Sequence, residues 1–258
     1  MLRAQSPPIE PGVSLELAKW RAARYNDVRY KLNLTLEKMS PVLKGTMEIR
    51  VNVGTRTPSS ASMQSGEIPP IILDWRKIKS HEEKSTISGV SVNGKSVALS
   101  PPQTAVADEG VRVPFEEINE HLIFRDGVVM GENVIKLDFT SPILTSGSAI
   151  TRYVDKEDGA EYIYSLFVPS DASTAFPVFD QPDLKARFYL EMFVPKTWKV
   201  VSNTDLILSS FHPEFADDPR EIVTGMHSPT VVAPLGMRYH RFFETAPRRV
   251  TRAPPGRA

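Results

Sequence analysis

Alternation of apolar and polar residues with a period of two constrains the fold of this chain most strongly. Between Ala186 and Val194 every second residue is apolar, and similar alternation marks residues 28–36, 47–53 and 131–139. This period places successive side chains on opposite faces of a β-strand. No alternation of strands with helices accompanies it, so we predict an all-β protein, an antiparallel β-sandwich or saddle of about nine strands.

Local signals add one helix and one hairpin to this prediction. Ser14 is a suitable N-cap for a short helix from Leu15 to about Tyr25, in which Leu17, Trp20 and Arg24 share one side. The Asn93-Gly94 pair supplies the two positive φ angles of a type I′ turn and predicts a hairpin. The Pro-rich residues 1–13 are expected to form an extended or disordered tail.

The composition excludes several kinds of site and gives no reason to propose others. Lys plus Arg and Asp plus Glu number 31 each, so no overall field favours nucleic acid or a membrane surface as a partner. Without cysteine there is no disulfide, thiolate zinc ligand or thiol nucleophile. The sequence as written has neither a secretory signal nor a long apolar run, which favours a cytoplasmic location. Export stays open if the true start lies upstream.

A compact turn leads into the strand at Ala186, and its residues carry a family resemblance. The segment from Ala175 reads Phe-Pro-x-Phe-Asp-x-Pro-x-x-Lys-Ala-x-Phe, with signature positions at Phe176, Pro177, Phe179, Asp180, Pro182, Lys185 and Phe188. Val-Pro-Lys-x-Trp-x-Val-x-Ser-Asn follows at 194–203. This pattern resembles the end of the N-terminal β domain of zinc aminopeptidases of the aminopeptidase N type. Weaker matches in the same order extend the resemblance over about 12–205.

The resemblance implies a zinc peptidase whose chemistry needs residues that this chain lacks. Such enzymes bind zinc through His-Glu-x-x-His on a helix plus a distal Glu, and a Gly-x-Met-x-Asn loop binds the peptide. Here the stretch from His81 begins as His-Glu-Glu-Lys but ends in Ser85. The histidines show no i, i+4 pair; they are His81, His121, His212, His227 and His240. We therefore assign no catalytic, substrate-binding or metal residue, and expect zinc and peptide substrate only in full-length relatives.

The family resemblance also implies an anchor for the substrate amine, and this chain departs from it. A Gln or Glu shortly before the signature turn holds the free α-amino group in the family. The corresponding positions here are Leu166 and Val168, which accept no hydrogen bond through their side chains. Either Ser170 or Asp171 takes over this role, or the contact is missing.

Two groups of residues could form a functional site, one an acid–base pair and the other an aromatic platform, or could have structural roles only. Asp180 and Asp183 resemble an acid–base pair, but Asp at a proline turn commonly caps backbone N–H groups. The aromatic residues resemble a stacking platform for sugars or bases, although most have core-facing parity; they are Trp20, Trp75, Phe176, Phe179, Phe188 and Trp198. We assign both groups a structural role.

These observations divide the chain into a tail at 1–13, a β domain at 14–247 and a basic tail at 248–258. The last segment has four arginines in eleven residues. It is interpreted as a disordered tail or as out-of-frame translation of a truncated gene. Two functions remain open: a non-catalytic N-terminal domain that pairs with an absent catalytic domain, and a stand-alone β module that binds a protein or glycan.

Overall fold

Strands dominate the computed structural model, which describes residues 6–54, 68–99, 115–211, 234 and 236–247. Its one α-helix, α1, spans Leu15–Arg24, and short 3₁₀ helices lie at Glu82–Lys84 and Ala172–Thr174. The strands are β1 Tyr25–Thr35, β2 Val42–Val53, β3 Ile71–Asp74, β4 Thr86–Val92, β5 Lys95–Ser96, β6 Phe115–Ile118, β7 His121–Phe124, β8 Gly131–Pro142, β9 Ile150–Val154, β10 Glu161–Ser165, β11 Ala186–Pro195, β12 Leu206–Phe211 and β13 Met237–Phe242.

These strands form three sheets. The largest has eight strands in the order β12-β13-β11-β1-β2-β8-β4-β5, and smaller sheets contain β3-β7-β6 and β9-β10. All pairings are antiparallel except β1 with β11, which run parallel from Val28 opposite Ala186. The residues paired in this parallel contact, such as Val28 and Ala186, are 158 positions apart, and the contact places the signature strand β11 in the interior of the large sheet.

The all-β class is confirmed, and the strand count is higher than predicted. Within the described residues thirteen strands occur where about nine were expected, because β6, β9 and β12 are short and weakly patterned. The Asn93-Gly94 turn has φ angles of 51° and 79°, as the type I′ prediction requires. His212, His227 and the basic segment 248–258 lie outside the described residues.

Helix α1 begins where predicted, and it also buries Arg21, which the sequence analysis did not single out. The Ser14 Oγ accepts a hydrogen bond from the Leu17 amide at 3.1 Å, which caps the first turn. Leu17, Trp20 and Arg21 are buried. Arg24 lies on the same side as Trp20, as predicted, with its guanidinium 4.7 Å from the centroid of the Trp20 ring. Among the described helices, none has the length and apolar character needed to cross a bilayer.

One apolar core connects the large sheet, the three-stranded sheet and α1. At its centre Tyr25 contacts Phe179, with ring centroids 5.2 Å apart, and Trp75 meets Phe139 edge-on. Four of the six aromatic residues weighed as a stacking platform are buried here, namely Trp20, Trp75, Phe176 and Phe179. Phe188 and Trp198 pack at the margin of the same core.

The described part of the N-terminal tail, residues 6–13, is an extended strap. Asn119 Nδ2 donates to the Ile9 carbonyl at 2.7 Å, and the Gly12 amide donates to Glu120 Oε2 at 2.9 Å. His121 Nε2 lies 3.0 Å from the carbonyl oxygens of both Glu10 and Gly12. The strap is therefore fastened to the β6–β7 turn and the start of β7.

Candidate functional site

The signature segment forms a buried corner between the 3₁₀ helix Ala172–Thr174 and strand β11. Asp74 and Val178 exchange two backbone hydrogen bonds, of 2.7 and 3.0 Å, which tie the corner to the end of β3. The Tyr30 hydroxyl accepts from the Phe179 amide at 2.9 Å. Of the signature positions, Phe176, Pro177, Phe179 and Asp180 are buried, while Pro182 and Lys185 are exposed. The ring of Phe188 stacks on that of Tyr30, with the two ring centroids 4.9 Å apart.

Asp74 is the hub of a charged network beneath this corner. Its two carboxylate oxygens accept from Arg21 Nη2 at 2.6 Å and Nη1 at 2.9 Å, a bidentate pair with both side chains almost fully buried. His121 Nδ1 lies 2.8 Å from Oδ1, and the Asp180 amide donates to Oδ2 at 2.7 Å. Burial opposes the charge, but Arg21 and His121 outweigh it and hold the pKa of Asp74 below its usual value.

Asp180, unlike Asp74, is buried without a cationic partner among the described residues. Its Oδ2 accepts from the Ser173 amide at 3.0 Å, whereas Oδ1 is buried and has no hydrogen-bond partner among the described residues. Burial raises the pKa of Asp180 to about 6; the Asp74 charge adds to the rise and the Ser173 hydrogen bond opposes it. The pKa values of these two neighbouring carboxyls are thus shifted in opposite directions, because Asp74 has cationic partners whereas burial dominates at Asp180.

Gln181 and Asp183 complete the corner in structural roles. Gln181 Nε2 donates to the Ala18 carbonyl at 3.1 Å and to Asp183 Oδ1 at 2.8 Å, and its Oε1 accepts from Arg21. The corner is therefore joined to helix α1. Asp183 is exposed and Asp180 is buried, so the two carboxyls considered as an acid–base pair occupy different environments.

A second feature lies on the β9–β10 hairpin, which presents an apolar face to solvent. We give the name tyrosine strip to five exposed residues, three on the hairpin and two in the segment that follows it: Tyr153, Tyr162, Tyr164, Leu166 and Val168. Each is between 44% and 53% exposed, and the rings of the paired Tyr153 and Tyr162 are 6.2 Å apart. Leu166 and Val168, the positions that the resemblance assigns to amine recognition, are therefore exposed within this apolar strip.

The opposite face of the hairpin fixes the strip to the body. Arg152 Nε donates to Glu161 Oε1 at 2.6 Å, with both side chains largely buried. The Glu161 carboxylate accepts from the Met39 amide, and Arg152 donates to the Ser40 carbonyl. These contacts hold the hairpin in place without any apolar cover on its outer face among the described residues.

Asp171, one of the alternative amine anchors, already has a cationic partner. Its Oδ1 accepts from Arg76 Nη2, which also donates to the Ser170 carbonyl at 3.4 Å. A substrate amine at this position would have to compete with the Arg76 guanidinium.

The described residues do not fit a zinc site. No group of three or more His, Asp or Glu side chains is placed within them to hold a metal ion. His81 precedes the 3₁₀ helix Glu82–Lys84, and its Nδ1 lies 3.1 Å from Lys84 Nζ. A helix of three residues has no turn that could bring a second ligand beside it, so no catalytic step is assigned to zinc held by these residues.

Sequence reasoning missed the Arg21–Asp74–His121 network. The three residues lie on α1, β3 and β7, separated by 53 and 47 positions, so no local spacing links them. One signal was present, since Asp74 interrupts the otherwise apolar Ile71–Trp75 run. A carboxylate inside such a run requires a buried partner.

Comparison with known proteins agrees with the resemblance. The sequence profile of the Peptidase M1 N-terminal domain matches residues 26–217. Aminopeptidase N of Streptomyces lividans is 33% identical over 89 residues, which cover 34% of this chain and 10% of the relative. Aminopeptidase M1-B of Oryza sativa subsp. japonica is 32% identical over 126 residues, which cover 48% of this chain and 14% of the relative. Probable aminopeptidase 1 of Sulfurisphaera tokodaii is 31% identical over 147 residues, which cover 57% of this chain and 16% of the relative. The chain spans at most about a sixth of these relatives.

Proposed function

Since the chain belongs to the Peptidase M1 N-terminal domain family, we propose that it is the non-catalytic wall of a metallo-aminopeptidase. In this role it packs against a zinc-binding peptidase module and forms one side of the cleft that admits the N-terminus of a peptide. The chemistry belongs to that module, wherever it is encoded. The His-Glu-x-x-His and Gly-x-Met-x-Asn motifs are missing from this sequence.

The tyrosine strip is the observation that carries this proposal. Contiguous exposed apolar surface on a soluble domain typically marks a surface that another domain or protein covers. The strip ends at Val168, seven residues before the signature segment begins at Ala175, and Arg152 and Glu161 attach its hairpin to the segment around Ser40. An exposed apolar face of this kind is expected at a permanent domain interface. An independent module would be expected to present a polar surface there.

Binding to a peptidase module tests this role. We would measure the affinity of the full chain for the remainder of the Streptomyces lividans aminopeptidase N, outside the matched segment, by analytical ultracentrifugation. The Tyr162→Ser/Tyr164→Ser variant is expected to bind at least tenfold more weakly. Val201→Ser is the matched control, because Val201 is 93% exposed and belongs neither to the strip nor to the groove beside the signature corner. No binding by the wild-type chain, or equal binding by the strip variant, would contradict the proposal.

The residues at 166 and 168 add a second element to the proposed role. Leu166 and Val168 would place apolar side chains in the cleft, at positions where the family has the amide of Gln or the carboxylate of Glu. We therefore propose that this wall contacts the substrate through apolar side chains and leaves recognition of the amine to the peptidase module.

A further inference from the structure

A glutamate occupies a backbone conformation that favours glycine in the two-residue turn between β6 and β7. Ile118 pairs with His121, so Asn119 and Glu120 form the loop, and their φ angles are 48° and 67°. Turns of this kind prefer Asn followed by Gly, because a side chain at the second position is strained. Backbone strain of this kind is typical of sites where the strained residue has a binding role.

The side chains of this turn bind the main chain of the strap. Asn119 donates to the Ile9 carbonyl, and Glu120 accepts from the Gly12 amide. His121 Nε2 lies 3.0 Å from each of two strap carbonyl oxygens, and since a carbonyl oxygen only accepts, this nitrogen carries a hydrogen. Within the described residues, no side chain of the strap forms a hydrogen bond with the turn. The strap is therefore recognised through its backbone.

We propose that Asn119, Glu120 and His121 form a binding site for the main chain of an extended peptide segment, and that the strap is its exchangeable occupant. We call these three side chains the clamp. Every residue has a carbonyl group, so recognition through the main chain accepts many sequences. Two positions restrict the ligand: Gly12, which has a φ of 76°, and Ile9, whose side chain packs against the core.

The clamp is held in place by contacts that do not involve the strap. His121 is fully buried, and its Nδ1 lies 2.8 Å from Asp74 Oδ1, in the carboxylate that Arg21 binds through two hydrogen bonds. The Trp75 amide donates to the Glu120 carbonyl at 2.8 Å, which fixes the turn. A site supported in this way is expected to keep its geometry when its occupant leaves.

Exchange of the strap would change the surface beside the signature corner. Gly12 and Val13 of the strap line a groove there, together with His121 and Asp180. Departure of the strap widens this groove, and another extended segment bound by the clamp would form its new wall. The ligand class is therefore an extended segment of a polypeptide, with glycine three residues after an apolar side chain.

A full-length Gly12→Pro variant tests the site, because it releases the strap and leaves the clamp unaltered. Proline has no amide hydrogen for Glu120 and cannot adopt a positive φ. The probe is a capped peptide with the sequence of residues 6–13, followed by NMR titration. We expect saturable binding to Gly12→Pro, and binding at least tenfold weaker to the wild type, whose own strap competes. A peptide with Glu10→Gln and Pro11→Ala is expected to bind within about threefold of the original.

Adding Glu120→Gly to Gly12→Pro separates binding from folding. This change removes the carboxylate that accepts the peptide amide, so binding is expected to weaken at least tenfold. It also relieves the positive φ, so urea unfolding is expected to show a fold at least as stable. Ser80→Gly is the matched control, because Ser80 has a φ of 66° and no hydrogen bond to the strap among the described residues. The control is expected to bind the peptide as Gly12→Pro alone does.

Three results would overturn the inference. These are no saturable binding of the peptide to Gly12→Pro, equal binding after Glu120→Gly is added, and loss of binding when the Glu10 and Pro11 side chains change. If Gly12→Pro does not fold or does not release its strap, hydrogen exchange of the wild type decides. The Gly12 amide is expected to exchange at least tenfold faster than the paired amides of β1 and β2, because the strap detaches while the sheet stays folded. Exchange at the rate of the sheet contradicts an exchangeable strap. None of these measurements uses a peptidase module, so this inference and the proposed function fail separately.

Discussion

Asp180→Asn is expected to change the pH dependence of stability in a defined direction. Asp180 is buried beside the negatively charged Asp74, and burial raises its pKa from 3.8 to about 6 on folding. Between these pH values the unfolded chain loses the proton while the folded chain keeps it. The folded state then binds more protons than the unfolded state, so stability falls as pH rises through this window.

The size of the effect follows from the pKa values. Each pH unit between 3.8 and about 6 costs about 1.4 kcal/mol, so the wild-type chain loses about 3 kcal/mol that an asparagine at this position does not lose. Asparagine keeps the oxygen that accepts from the Ser173 amide, which preserves the local geometry. Relative to wild type, the variant is therefore expected to gain about 3 kcal/mol between pH 3.5 and pH 7.5.

Urea unfolding followed by circular dichroism, at half-unit steps from pH 3.5 to pH 7.5, measures this difference. The quantity of interest is the free energy of unfolding of Asp180→Asn minus that of the wild type at each pH. Titration of distant groups cancels in this difference. Asp183→Asn, which changes an exposed carboxyl in the same turn, serves as the control for substitution there. A difference for Asp180→Asn that does not change with pH, or that falls with pH, would refute the raised pKa of Asp180.

Three further substitutions test the packing around the site by chemical unfolding at pH 7. Arg21→Met is expected to destabilise the fold by about 3–5 kcal/mol, because Asp74 is then left as a buried charge without its bidentate partner. Gly45→Ala places a Cβ 2.4 Å from the Phe139 ring and is expected to cost about 1–3 kcal/mol. Ser14→Ala removes the N-cap of α1 and is expected to cost about 1 kcal/mol.

Each of these predictions has a result that contradicts it. Arg24→Met is the control for Arg21→Met. Arg24 has no buried ion pair; it lies over the Trp20 ring and donates to the Trp20 carbonyl at 3.2 Å, so its loss is expected to cost about 1 kcal/mol. Equal effects at Arg21 and Arg24 would mean that the buried ion pair does not matter to stability. A neutral Gly45→Ala would show that the Phe139 ring has room to move. A neutral Ser14→Ala would show that the cap at Leu17 is replaced by solvent.

Features encoded by neighbouring residues were predictable from the sequence. The alternation in β1, β2, β8 and β11, the Ser14 cap and the Asn93-Gly94 turn each depend on a few adjacent side chains, and each occurs where it was predicted. The parallel contact of β1 with β11 was not predicted, because alternation defines the faces of a strand and not its neighbour.

The candidate site was only partly predictable for the same reason. The corner residues were found through the family resemblance, but the buried state of Asp180 depends on Asp74 and Ser173, which the sequence does not place beside it. Glu191 shows the same limit. Alternation placed it on the polar face of β11, yet it is buried there because Tyr239 and Arg241 of β13 donate to its carboxylate. The prediction for the basic segment 248–258 still stands as a prediction.

The central claim is that this protein forms one side of a peptidase cleft and has no peptidase activity of its own. Hydrolysis of aminoacyl-anilides by the purified full chain, with and without added Zn²⁺, tests this claim most directly. We predict no turnover above the buffer rate in either condition, and no stoichiometric zinc after dialysis against the metal. Zinc-dependent turnover by the chain alone, accompanied by one bound zinc ion per chain, would contradict the account.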